Sequence, residues 1–120
     1  MKTIFIIHGY GGYSKENWFP SLQEELGKLG SKVIVPEFPS PSKPRLNEWL
    51  DFFKQYHSEI NSNTIMVGHS LGSAFILSLL EKYKLNAACF VAAVSGPINH
   101  EVDSKITTFT HKEFNWKKIK

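Results

Sequence analysis

The chain of 120 residues contains a single cysteine, Cys89, so it has no pair from which to build an intrachain disulfide, and a cytoplasmic setting is expected. Within Ala87-Ala88-Cys89-Phe90-Val91 that thiol is expected to be buried and reduced rather than reactive. Long apolar runs are missing too. The longest, Ala87 to Val94, has eight residues, far short of the about 20 that cross a bilayer, so no membrane span is expected. The N-terminal stretch Met1-Lys2-Thr3-Ile4-Phe5-Ile6-Ile7 breaks at His8-Gly9 with no small-residue cleavage site, which reads as a strand rather than a secretory signal. Charge of one sign is scarce. Fourteen Lys and Arg stand against 11 Asp and Glu, leaving +3, with Lys117, Lys118 and Lys120 as a short solvated tail. No basic stripe interleaves with stacking aromatics, so nucleic-acid binding is not expected. Internal repeats and low-complexity segments are absent as well.

What remains is 42% hydrophobic and 13% aromatic, enough for one core and too little chain for two, so residues 1–120 read as a single domain. Four short runs rich in Ile, Val and Phe recur at residues 2–8, 32–36, 63–68 and 87–94, each without strict polar alternation. Such runs suit strands buried on both faces of a parallel sheet. Helical spacing fills the gaps. Residues 16–29 carry Trp18, Leu22, Leu26 and Leu29, with Gly27 and Gly30 closing the segment. Residues 45–60 carry Leu46, Trp49, Leu50, Phe53, Tyr56 and Ile60, and leave Glu48, Asp51, Lys54 and Gln55 for water. A third helix is expected from Leu71 to about Lys84, its small first turn (Gly72, Ser73, Ala74) letting it lie close to the sheet. The fold class is therefore α/β, a three-layer α/β/α arrangement with a mostly parallel sheet in the order 2-1-3-4. The prolines at 36, 39, 41 and 44 mark a connecting loop rather than a docking motif.

Ligands of open parallel sheets sit beyond the carboxyl ends of the strands, and two segments there have unusual residues. After the third strand, Gly68-His69-Ser70-Leu71-Gly72 fits the nucleophile-elbow pattern G-x-S-x-G, with strand residues Ile65-Met66-Val67 before it and a helix after it. So sharp a turn strains the serine backbone and leaves no room for side chains at 68 and 72. Ser70 is thus the candidate nucleophile, with the helix start directing N–H groups and positive dipole toward a developing oxyanion. After the first strand comes His8-Gly9-Tyr10-Gly11-Gly12, a glycine-rich loop able to add a second N–H, that of Tyr10, to that of Leu71. His8 reads as structural rather than as a general base.

Taken together, His8-Gly9-Tyr10-Gly11-Gly12, Trp18-Phe19-Pro20, Pro36-Glu37-Phe38-Pro39, Trp49 and Gly68-His69-Ser70-Leu71-Gly72 resemble the small α/β-hydrolase-fold serine hydrolases of the retinoblastoma-binding protein nine and YdeN type. The resemblance extends through Ser95-Gly96-Pro97 and Phe114-Asn115-Trp116, which look like that family's loop and short helix. It implies a lidless serine hydrolase, esterase-like, cleaving ester or amide bonds of small substrates through a Ser-Asp-His triad without cofactor or metal. Ser70 carries over as nucleophile, and Leu71 and Tyr10 as oxyanion donors. Gly68, His69, Gly72, His8, Gly9 and Gly11 carry over as shapers of the elbow and loop. The triad acid and base do not carry over. In the family they lie on two further strand ends, so this chain is expected to lack the C-terminal strands. The only aspartates are Asp51, on a polar helix face, and Asp103. Asp103 with His111 as a relay, or with His100 as metal ligands, is weaker than a solvated loop. With nothing after it, the fourth strand becomes a sheet edge, and self-association is expected.

Two other function classes compete with the enzyme. A hydrolase-like domain without acid and base could serve only to bind a partner. Nucleotide binding would draw on Gly9-Tyr10-Gly11-Gly12 and on Glu37 as a ribose ligand, but Ser14 stands where G-x-G-x-x-G needs its last glycine.

Overall fold

A computed structural model describes residues 2–91 and 106–119. The chain alternates β1 (Thr3–Ile7), α1 (Phe19–Lys28), β2 (Lys32–Ile34), α2 (Leu46–Phe53), β3 (Ile65–His69), α3 (Leu71–Leu80) and β4 (Ala87–Val91). All strand pairs are parallel and the order is β2-β1-β3-β4, as the alternation of strand and helix requires. Residues 106–110 are helical, and a last turn of helix covers Trp116–Ile119.

Because successive strand residues point to opposite faces, β1 divides its side chains between two cores. Phe5 and Ile7, with Met66 of β3, face α2 and α3 in a cluster with Phe38, Trp49, Phe53, Phe75 and Phe109. Ile4 and Ile6, with Val67, face α1 through Phe19, Trp18, Leu22 and Leu26. The aromatic cluster is dense: Phe38 stacks on Trp49 with ring centroids 4.4 Å apart, and Phe75 meets both edge-on at 5.0 and 5.6 Å. Offset and edge-to-face pairs of this kind stabilise beyond the area they bury.

The helices differ from expectation mainly in their ends. α1 starts with Pro20 in its first turn and stops at Gly30, whose φ of 89° suits only a residue without a side chain. α2 keeps its helical course after Phe53 only as a tighter 3₁₀ stretch, Lys54–Glu59, which lets the chain turn out to Ile60. Its first turn receives a long-range cap, Leu46 N–H donating to Thr108 Oγ1 at 3.0 Å. α3 ends at Leu80, short of Lys84, and every residue from Leu71 to Leu79 is buried, so it is a central helix apolar all round.

Two expectations about β4 are corrected. Its residues are exposed or half-buried rather than buried on both faces, and Cys89 is exposed rather than buried. Among the described residues β4 is the sheet edge, as expected, and on the α1 face of β3 and β4 they leave an open groove of about 400 Å³ beside Trp18, Leu22 and Leu26. An apolar sequence seeks cover but does not supply it. The expected strand end at 92–94 and the segment Ser95-Gly96-Pro97, with His100 and Asp103, lie outside the described residues. Among the described residues no helix is long and apolar enough to cross a membrane.

Candidate functional site

Ser70 occupies the single residue between β3 and α3, with φ 54° and ψ −119°. A positive φ of this kind costs a residue with a side chain on the order of 1–3 kcal/mol and persists only where neighbours over-determine it. They do so here. Ser70 N–H donates to Val91 O at 3.0 Å, tying the bend to β4, and its carbonyl accepts from Ser73 N–H at 3.0 Å. Ser73 also donates its hydroxyl back to Gly68 O at 3.2 Å, closing the turn from the other side.

The two outer glycines are sterically required. A Cβ on Gly68 would come within 2.7 Å of Ile76 Cδ1 and 2.8 Å of Ser73 N. One on Gly72 would run into the Ile7 carbonyl and lie 2.9 Å from His8 O, so the first turn of α3 rests directly on the end of β1. Ser70 is half-buried, and its side chain makes no capping bond to the helix it precedes. Leu71, the first residue of α3, has an N–H without a partner inside the helix.

The glycine-rich loop is brought against this bend. A Cβ on Gly9 would lie 3.0 Å from both Ser70 Cβ and His69 O, and 3.4 Å from Leu71 N. The loop then turns tightly, Gly12 N–H donating to Gly9 O at 3.0 Å, with Gly11 at φ 68°. Tyr10 packs half-buried against the aromatic core. His69 turns its ring toward α1, edge-on to Trp18 at 5.7 Å and Phe19 at 5.9 Å. Its Nδ1 is buried and finds no hydrogen-bond partner among the described residues.

His8 is fully buried, as a structural reading requires. Its Nε2 accepts from Phe38 N–H at 3.1 Å and its Nδ1 lies 3.0 Å from Gly9 O. Burial holds its pKa below the ordinary value of 6.5, against the hydrogen bond to Gly9 and the charges of Glu37 and Glu16. Both nitrogens are engaged, so the ring is not available as a base. His57 is engaged with the Tyr83 hydroxyl at 3.1 Å, and Asp51 pairs with Lys54 at the surface.

Sequence reasoning missed the clamps that hold the loop. The Glu37 carboxylate accepts from both Ser14 N–H and Ser14 Oγ at 2.7 Å, which depresses its pKa, and Gly11 N–H donates to Pro41 O at 2.7 Å. Glu37 thus pins a backbone turn and is not free for a ribose. Only the paired fit of Ser14 and Glu37 across two loops reveals this, and no local pattern signals it.

A parallel sheet in this order with a strained serine at the strand-to-helix bend and a glycine loop against it defines the α/β-hydrolase class. Within that class the chain belongs to the serine hydrolase family, whose profile matches residues 4–119. It is similar to the putative hydrolase YdeN of Bacillus subtilis strain 168, with 40% identity over 84 residues, 70% of this chain and 44% of that one. The crystal structure of the ydeN gene product superposes with a TM-score of 0.86 at 34% identity, covering 99% of this chain and 65% of that chain. The serine hydrolase RBBP9 of Rattus norvegicus is 24% identical over 119 residues, 96% of this chain and 62% of the relative. Each of these matches covers less than two thirds of the relative's own length.

Proposed function

We propose that the chain acts as a serine hydrolase on ester or amide bonds of small substrates, with Ser70 as nucleophile and the Leu71 and Tyr10 N–H groups as oxyanion donors. The observation that carries this reading is the backbone of Ser70, φ 54° and ψ −119°, at the carboxyl end of β3 with the Gly9 loop against it. Strain held at one polar residue by this many neighbours points to function. In the proposed reaction Ser70 Oγ attacks the carbonyl carbon while its proton passes to a base. The carbonyl π electrons move onto oxygen, and the oxyanion is met by the two N–H groups and the N-terminus of α3. Collapse expels the alcohol or amine, which takes up a proton, and water then releases the acid from the acyl-enzyme. The elbow glycines, His69 and the loop glycines shape this site. No cofactor or metal enters the scheme.

The test is covalent labelling by a fluorophosphonate probe, read by intact mass and peptide mapping, with Ser70→Ala as control. Labelling confined to Ser70 is expected; an unmodified wild-type chain would overturn the reading. A second reading is a hydrolase-like binding domain, favoured by His8 and His57 both being engaged away from Ser70. A folded chain that binds an ester analogue without ever acylating would select it. A cytoplasmic location belongs to the same proposal, as does pairing of the exposed β4 edge with a second copy.

A further inference from the structure

The end of α3 away from Ser70 opens on a recess. Two cavities of about 470 and 270 Å³ lie there and share Leu80, Tyr83, Lys84 and Lys118 among their walls, so they form one continuous space. Pockets for small organic molecules are of this size. The helix between the elbow and the recess is 10 residues long, about 15 Å, so a small molecule bound here stays clear of the serine.

Four ammonium groups line the larger cavity. Lys82 and Lys84 follow the end of α3, while Lys117 and Lys118 come from the helical turn Trp116–Ile119. Elsewhere Lys28, Lys32, Lys54 and Lys112 each stand within 3.3 Å of a carboxylate oxygen. Among the described residues, none of the four around the recess has such a partner. The carboxylate in its wall, Glu81, is already engaged: Oε1 accepts from Lys112 Nζ at 2.6 Å and Oε2 from Asn115 N–H at 3.2 Å.

The lysines are not needed to finish the helix. Its last carbonyls accept main-chain N–H groups, Ser78 O from Glu81 at 3.3 Å and Leu79 O from Lys82 and Tyr83 at 2.9 Å each. The helix dipole favours basic residues at this end, but that accounts for Lys82 and Lys84 and not for a pair brought from another segment. A clamp brings that pair. Lys112 also donates to Ser78 Oγ at 3.1 Å and lies 4.7 Å over the ring of buried Phe114, tying the last segment to α3. Ammonium groups held together without counter-charge repel one another, and an anion among them relieves that cost.

The chemistry of the walls narrows the anion. Lysine meets phosphate as a compact point charge with rotatable donors, without the planar matching that arginine gives a carboxylate. The smaller cavity adds Leu85 and Ile119 to the shared Leu80, an apolar wall beside the charges. We propose that this recess binds a small organic phosphate, its phosphate among Lys82, Lys84, Lys117 and Lys118 and its apolar body against Leu80, Leu85 and Ile119. The site is independent of the hydrolase reading.

The experiment is an amide ¹H–¹⁵N titration of the ¹⁵N-labelled full chain with phenyl phosphate at low salt and neutral pH, with inorganic phosphate and phenol as the two halves of the probe. Saturable shifts are expected at residues 80–85 and 117–119, with phenyl phosphate binding most tightly of the three. Shifts that do not saturate in the millimolar range, or inorganic phosphate binding as tightly, would overturn the proposal. Lys84→Gln combined with Lys118→Gln is expected to weaken binding about tenfold. Lys28→Gln combined with Lys54→Gln removes the same charge from paired lysines elsewhere and is expected to leave binding unchanged. Equal losses in the two double variants would reduce the effect to net charge and overturn the assignment. A single-stranded RNA oligonucleotide that shifts these amides where phenyl phosphate does not would overturn it in favour of nucleic acid.

Discussion

On the face of the sheet that meets α2 and α3, Phe5, Met66, Trp49 and Phe75 are fully enclosed, while on the α1 face Val67, Cys89 and Val91 line an open groove. Both faces are built from the same kinds of residue, so hydrophobicity alone does not distinguish them. What differs is the number of elements that arrive. Two helices, the Pro-rich loop and residues 106–110 close the first face, whereas among the described residues α1 alone meets the second. The candidate site draws its rigidity mostly from the closed face: Gly72 rests on Ile7, Ser73 on Gly68, and His8 is held by Phe38 and Trp49. The open side contributes one backbone bond, Ser70 N–H to Val91 O.

Truncation at the two faces gives the largest contrast. Trp49→Ala removes a buried indole and its bond to Pro39 O, and is expected to cost about 3–5 kcal/mol, enough to unfold much of the population of a marginally stable domain. Leu22→Ala, in the groove wall, is expected to cost about 1 kcal/mol or less, because water already reaches that side chain. Urea denaturation of both variants measures the difference, and equal costs would break the comparison.

Glycine replacement should reverse sign between the faces. Gly72→Ala places a methyl group on the Ile7 carbonyl and is expected to destabilise by about 1–3 kcal/mol as α3 is pushed off the sheet. Gly27→Ala, inside α1 with nothing within 4 Å of the added carbon, is expected to stabilise by about 0.5–1 kcal/mol. Thermal melts of the two variants should move in opposite directions.

The pH dependence sharpens the same contrast, because the titrating group lies on the packed side. Burial depresses His8 below its ordinary value of 6.5, so the unfolded chain binds that proton more readily than the folded one. Its contribution is complete above pH 6.5 and is lost as the pH falls from there toward the depressed folded value. Glu37 is also depressed, by its bonds from Ser14, and its contribution is lost lower down, as the pH falls below 4.5 through the folded value. Denaturation midpoints of wild type and His8→Asn across this range are expected to converge as the pH drops below 6.5.

The smallest effect belongs to the open face itself. Cys89→Ser is expected to change stability by less than about 0.5 kcal/mol, as surface substitutions do, and the native thiol to react fully with a disulfide reagent. Cys89→Lys should lower the scattering mass if copies pair along β4. An unreactive thiol would mean that the groove is covered.

How much of this could be read beforehand depended on the range of the interactions involved. The strand order, the elbow and the close seat of α3 follow from local signals: apolar runs, Gly68 and Gly72 around Ser70, and a first turn of small residues. The edge position of β4 was expected, but the exposure of Cys89 was not, because the composition of Ala87–Val91 says what it would bury and not what lies over it. The clamps at Glu37, Pro41 and Phe38 were equally out of reach, since each joins two loops that only the folded sheet brings together.

The most direct measurement is the site of fluorophosphonate modification, mapped by peptide mass spectrometry on wild type and Ser70→Ala under native conditions. The account predicts adduct on the peptide containing Ser70 and none on the alanine variant. Adduct at another residue, or equal modification of both proteins, would contradict it.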